Sequence, residues 1–173
     1  MRLFHVSEEE NILVFYPRTP KRKDLNPKEG LVWAIDERRL PNFLTPRNCP
    51  RVTWYAGADT SLEDKKKYFS STTGSHVVVI ENKWFEAMKN TVLYLYEFNP
   101  AGFELQDKIA GYYISKTTQI PIGKTRIENV FAELFFRGVE VRIVDNLWDI
   151  CERVQKSTLN WSMCRMGFAQ EKK

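Results

Sequence analysis

The sequence predicts a single α+β domain built on a mixed, mostly antiparallel β-sheet with short helices. Three observations predict it. Short runs rich in Val, Ile and aromatic residues alternate irregularly with short helical patterns, without the regular strand–helix–strand spacing of a doubly wound sheet. The 173 residues suit one domain with a real core and would be cramped as two. Hydrophobic residues at 43% and charged residues at 28% are ordinary for a globular chain, while 13% aromatics provide large side chains to fill its interior.

Leu3–Val6 reads as the opening strand. Ser7 and Glu10 have capping-box spacing, which predicts a brief helical turn over the acidic residues 8–10. Ile12–Tyr16 is a continuous apolar run stopped by Pro17. Residues 17–30 hold three prolines, many charges and no apolar periodicity, so an exposed loop is expected there. Leu31–Ile35 is a strand by its β-branched and aromatic content, and Asp36 opens a short helix through Leu44 that Pro41 makes irregular. Arg51–Tyr55 is the next strand. Residues 57–75 are polar, with Lys65–Lys67 in their middle, and are expected to form a second exposed loop.

His76–Glu81 is a strand with His76 at its exposed start, and Asn82–Asn90 a short helix. Thr91–Phe98 follows as a strand with Val92, Tyr94, Tyr96 and Phe98 on one face. Gly102 and Gly111 bracket a loop or short strand at Phe103–Leu105, and Tyr112–Ser115 and Gln119–Ile122 read as extended. Thr125 and Glu128 repeat the capping-box spacing before Ile127, Val130, Phe131, Leu134 and Phe135, which predicts a helix that Gly138 stops. Val139–Val144 alternates as a strand. Asp145 is placed to cap a helix that turns Leu147, Trp148, Ile150, Cys151 and Val154 inward, and Ser157–Phe168 is apolar enough to return to the body.

Cys49, Cys151 and Cys164 are odd in number and lack CxxC spacing, which predicts a reducing compartment without a disulfide framework. The N-terminus turns acidic within eight residues and has no apolar signal-peptide core, and no apolar run approaches the ~20 residues that span a bilayer. A soluble, cytoplasmic protein is expected. The sequence holds no GxGxxG, Walker A, GxSxG or HExxH; Gly123–Lys124–Thr125 ends like a P-loop, but Thr118 stands where its first glycine belongs. Two histidines and dispersed cysteines give no metal-ligand spacing, so no metal is expected. The net charge of +4 is mild, and the basic run Arg18, Lys21, Arg22, Lys23 and Lys28 has no interleaved aromatic for stacking, which argues against nucleic acid as a partner.

The segment Gly30–Val52 concentrates three prolines, a cysteine and two close arginines, the composition of a loop held in one shape. Arg47 and Arg51 each follow a proline; if 47–51 is extended they share a face about 13 Å apart at the root, within reach of a two-phosphate group. The alternative is that each pairs with a carboxylate or caps a carbonyl. Cys49 reads as a small core residue, although a nearby arginine is the kind of group that lowers a thiol pKa. His5 points opposite to Phe4 and Val6, as a ligand-facing imidazole or one satisfied internally. The leading reading is a site lined by His5, Ser7, Trp33, Arg47 and Arg51 that takes an anionic, nucleotide-like small molecule. No cofactor or catalytic residue can be named from these residues. A second reading is an RNA-associated or protein-interaction module using loop 17–28 and Lys65–Lys67; a third places function in an assembly contact, for which a closed dimer is the default.

Taken together, FHVSEEE at 4–10, VWAIDERRLPNFLTPRNCPRV at 32–52, GYYIS at 111–115 and the stretch from Gly138 to Met166 resemble a bacterial family of small proteins known as a domain of unknown function. The resemblance spans nearly the whole chain and implies a complete member of that family, with no activity attached. A more remote similarity is to ADP-ribosyltransferase-like folds, whose first strand carries a histidine in a pattern like FHVS. That similarity implies a nicotinamide-ribose contact for His5 and an aromatic stacking role for Trp33 or Phe43. Gln119 stands nearest to the usual glutamate, and its lack of an acid implies slow turnover or none.

Overall fold

The computed structural model describes residues 1–19, 29–71 and 73–172. Among these the strands are β1 (Leu3–Ser7), β2 (Val32–Asp36), β3 (Arg51–Tyr55), β4 (His76–Glu81), β5 (Leu93–Phe98), β6 (Glu104–Asp107), β7 (Tyr112–Ser115), β8 (Gly123–Ile127), β9 (Val139–Val144) and β10 (Asn160–Cys164). The helices are α1 (Leu62–Tyr68), α2 (Phe85–Asn90), α3 (Val130–Phe136) and α4 (Trp148–Gln155). The class is α+β with mostly antiparallel pairing and short helices, as the sequence predicts. The strands divide between two sheets where one was expected. Each sheet belongs to a compact unit made of two stretches, Met1–Leu40 with Leu93–Ile127 and Pro41–Val92 with Glu128–Lys173. The expected loop 17–30 falls mostly on residues 20–28, outside the described residues.

The first unit holds a six-stranded sheet in the order β6-β7-β2-β1-β5-β8, antiparallel throughout. In β1, Leu3, His5 and Ser7 stand opposite Phe98, Tyr96 and Tyr94 of β5, so these six share one face. Segment 8–19 crosses that face. Phe15 contacts the rings of His5, Tyr96 and Phe98 at 4.9–5.3 Å and exchanges backbone hydrogen bonds with Gln119. The Tyr96 hydroxyl donates to the Glu9 carbonyl at 2.7 Å and accepts the Ile12 N–H at 3.1 Å. The helical turn expected at 8–10 does not form: Ser7 Oγ instead accepts the Glu9 N–H at 3.0 Å, a two-residue hydroxyl turn that needs no helix.

The second unit holds β10-β3-β4-β9, with β4 and β9 parallel and the other pairs antiparallel. All six residues of β4 are buried, consistent with a central strand covered on both faces. Val52, Trp54, Val77 and Val79 form one core with Tyr68, Phe69, Ile150, Cys151 and Val154. Residues 57–75 are therefore not simply a loop. Ser61 caps α1 by accepting the Asp64 N–H, and the polar residues that suggest a loop are its outer face, while Tyr68 and Phe69 enter the core. The cap of α3 is Asn129, whose Oδ1 accepts the Ala132 N–H; Thr125 and Ile127 belong to β8. Gly138, at φ +68°, ends that helix in the left-handed conformation and donates its N–H to the Phe135 carbonyl. Ahead of α4, Asn146 rather than Asp145 accepts the Trp148 N–H.

Loop 41–50 covers the other side of β3 and β4. Residues 46–49 close a turn through Cys49 N–H to the Pro46 carbonyl, with Asn48 at φ 65°, so the extended conformation that would put Arg47 and Arg51 on one face does not form. Arg47 is exposed at its tip and Arg51 is buried at its base. Arg51 Nε donates to the Asn42 carbonyl at 2.6 Å and Nη1 to the Cys49 carbonyl at 3.0 Å, with the guanidinium 5.3 Å over the Phe43 ring. His76, expected to be exposed, is 7% accessible and meets Asn42 Oδ1 through Nε2 at 2.7 Å. Replacing Arg51 by leucine leaves two buried carbonyls without donors. Urea unfolding is expected to show a loss of roughly 2–4 kcal/mol. A loss under about 0.5 kcal/mol, the ordinary surface value, would show that the loop holds its shape without it.

Candidate functional site

The polar face of the first unit is built in two rows across β1, β5 and β8. Ser7, Tyr94 and Arg126 form one row and His5, Tyr96 and Lys124 the next. Alternation places Lys124 and Arg126 two residues apart on the same side of an edge strand. They converge on Tyr94. Lys124 Nζ lies 5.5 Å from the centre of the Tyr94 ring and donates to the Glu10 carbonyl at 3.0 Å. Burial, reinforced by the Glu10 carboxylate, raises the pKa of the Tyr94 phenol, and the nearby Arg126 cation partly opposes that rise. A phenol with a carboxylate, an arginine and a lysine gathered round it is the kind of arrangement that would also accept an acidic ligand.

His5 sits one row away. Its Nδ1 lies 3.0 Å from the Trp33 carbonyl, and a carbonyl only accepts, so Nδ1 carries the proton and Nε2 the lone pair. Burial against Phe15 lowers its pKa, partly opposed by the Trp33 bond, which keeps the ring neutral near pH 7.

The five residues singled out in the sequence do not all meet. His5 and Ser7 share the face just described. Trp33 does not: Phe4 pairs with Ile35, so alternation puts Trp33 with Phe4 and Ile35 on the opposite side, where its ring meets Tyr112 edge-on at 5.3 Å. Arg47 and Arg51 belong to the second unit, and Arg51 is committed to the two carbonyls of its own loop. Phe43 lies under that guanidinium. Gln119 donates its amide to Ser115 Oγ and Thr117 Oγ1. Cys49 is fully buried, and burial outweighs the nearby Arg51 to push its thiol up to about 12, the core reading of that residue.

Tyr94, Lys124, Arg126 and Glu10 escaped the sequence reading. The signal for the two cations was present as the two-residue alternation in Gly123–Ile127, but Thr125 there also fits a helix cap. Among the described residues no group of three or more His, Cys, Asp or Glu could hold a metal, and no helix is long and apolar enough to cross a membrane.

A family model matches residues 4–169, and the chain belongs to that family, a family of unknown function designated DUF6886. No curated protein and no solved structure matches it.

Two outcomes follow from the protonation states. Because His5 is held neutral in the fold but takes a proton near pH 6.5 when unfolded, the unfolded chain binds more protons below that value. Stability contributed by neutral His5 is thus full above about pH 6.5 and falls as the pH drops toward its lowered folded value. His5→Gln, which keeps a donor for the Trp33 carbonyl and cannot titrate, is expected to flatten the urea-unfolding stability between about pH 7 and 5 relative to wild type. Parallel pH profiles for the two proteins would contradict the assignment. For the thiols, iodoacetamide near pH 8 is expected to label half-buried Cys164 well ahead of Cys49 and Cys151, both of which burial raises. Mass mapping that finds Cys49 modified first would show its enclosure to be wrong.

Proposed function

We propose that the protein binds a small anionic molecule, carrying a phosphate or carboxylate, on the β1–β5–β8 face of the first unit. The observation that supports this reading is the convergence of Lys124 and Arg126 on Tyr94, with Glu10 supplying a carboxylate from the crossing segment. A ligand acid takes the place of the Glu10 side chain, Ser7 and Tyr94 offer hydroxyls beside it, and His5 presents an imidazole one row away. Two cations at this spacing grip a phosphate by charge, and the aromatic rings of Tyr94 and Phe15 suit a flat group attached to it, so a nucleotide-like molecule is the class favoured. Relative to the sequence reading, the charge moves from Arg47 and Arg51 to Lys124 and Arg126.

Thermal-shift titration with inorganic phosphate, ADP-ribose, NAD and nucleoside phosphates tests it. At least one phosphate compound should raise the melting temperature, and the shift should vanish in Lys124→Ala and Arg126→Ala but persist in Arg47→Ala. Glu10→Gln, which removes the competing charge, should tighten binding roughly tenfold. No shift with any of these compounds, or shifts indifferent to both β8 substitutions, would sink the proposal.

A further inference from the structure

Four strands end the two sheets: β6 and β8 in the first, β9 and β10 in the second. An edge strand offers a row of N–H and C=O groups to any second chain, and like charges along it are a common guard against pairing with its own copy. The strand β6 carries Glu104 and Asp107, both acidic, and β8 carries Lys124 and Arg126, both basic. A copy laid antiparallel on either would oppose like charges. β10 carries no charge. Among the described edge strands, β9 alone bears opposite charges, Glu140 and Arg142, on one face, alternating with Val139, Val141 and Ile143 on the other. Among the described residues the backbone of 139–144 makes no hydrogen bond beyond its ladder with β4, and Ile143 is 43% accessible.

We propose that β9 pairs antiparallel with β9 of a second copy of this chain, about a two-fold axis through Val141. In that register Val141 faces the partner's Val141, Val139 faces the partner's Ile143, and Glu140 faces the partner's Arg142. The symmetry repeats each contact, so both cross-strand ion pairs form at once. Within one copy Arg142 Nε donates to Glu140 at 2.7 Å and Nη2 to the Tyr68 carbonyl at 2.8 Å, while Glu140 also accepts the Ser70 N–H at 3.0 Å, so pairing exchanges one internal ion pair in each copy for two across the interface. An unrelated strand would have to carry the reverse charge order to match; the two-fold copy carries it automatically. The product is a continuous eight-stranded sheet. A six-residue strand pair about 20 Å long buries less than the ~800 Å² per partner of a standard interface, so the dimer is reversible and concentration-dependent.

Sedimentation of the full chain from about 1 to 100 µM tests this. The expected result is a shift from single to double mass across that range. Arg142→Glu, which sets Glu opposite Glu, should weaken dimerisation at least roughly tenfold. The double exchange Glu140→Arg with Arg142→Glu should restore it, a rescue that a merely internal role for Arg142 at the Tyr68 carbonyl would not produce. Ile143→Lys, at an accessible position, should give a folded monomer by circular dichroism and carries the test if Arg142→Glu fails to fold. A wild-type chain that stays monomeric throughout overturns the proposal. So does a dimer indifferent to both Arg142→Glu and Ile143→Lys, failure of the double exchange to rescue, or growth into larger open assemblies.

Discussion

Loop 41–50 contains Pro41, Pro46 and Pro50, so it has a full set of carbonyls to satisfy and three fewer N–H groups with which to do it. One buried cation resolves that shortage. Arg51 begins β3, and from that fixed root its guanidinium reaches carbonyls at both ends of the loop, Asn42 and Cys49. Asn42, held through its main chain, then turns its side-chain oxygen to His76 on the neighbouring strand. Strand, loop and strand are tied by one connected set of polar groups with Cys49 enclosed beneath them. A lysine could not do the same, because one ammonium on a flexible stem lacks the planar fork that spans two acceptors.

The opposite end of the same strand shows the complementary solution. Glu81 is fully buried and its two carboxylate oxygens receive the Gln170 N–H, while Lys83 approaches at 3.2 Å from a more exposed position. A buried charge without such partners would be costly, so the C-terminal segment is not an ornament on the second unit. It supplies a donor that the central strand requires. Gln170 also donates its side-chain amide to the Asp145 carbonyl, and its own carbonyl accepts the Trp148 indole N–H. Among its described residues the first unit has no comparable buried charge, and the face of its sheet where β1 meets β5 is covered by hydroxyls and aromatic rings.

Strands with strong local signals were legible in the sequence. Arg51–Tyr55, His76–Glu81 and Val139–Val144 have the bounds that composition and alternation indicate, because β-branched content and burial agree there. What escaped was set by partners distant in the chain. Gly123–Ile127 is mostly exposed and polar, and is a strand because β5 offers it a ladder. His76 looked like an exposed strand start, and is buried because Asn42, more than thirty residues earlier, provides its acceptor. The same dependence on distant partners decides which of the residues singled out for a site share a face. Alternation within β1 exposed His5 and Ser7, but the register of β1 against β2, which sends Trp33 to the other face, is not written in either strand alone.

The parallel pairing of β4 with β9 joins His76 to Val139, and between them the chain lays down β5 to β8 of the other sheet. The two units are thus interleaved along the polypeptide rather than strung in series. On a ribosome the first sheet has all its strands once Ile127 has emerged, while the second still lacks β9 and β10. Residues 41–92 must wait as a looped-out segment bearing Val77–Ile80, an apolar run of high strand propensity with no parallel neighbour yet made. The period of exposure to wrong pairing therefore opens when β4 emerges and closes only when Val139–Val144 has been made, after every strand of the first sheet.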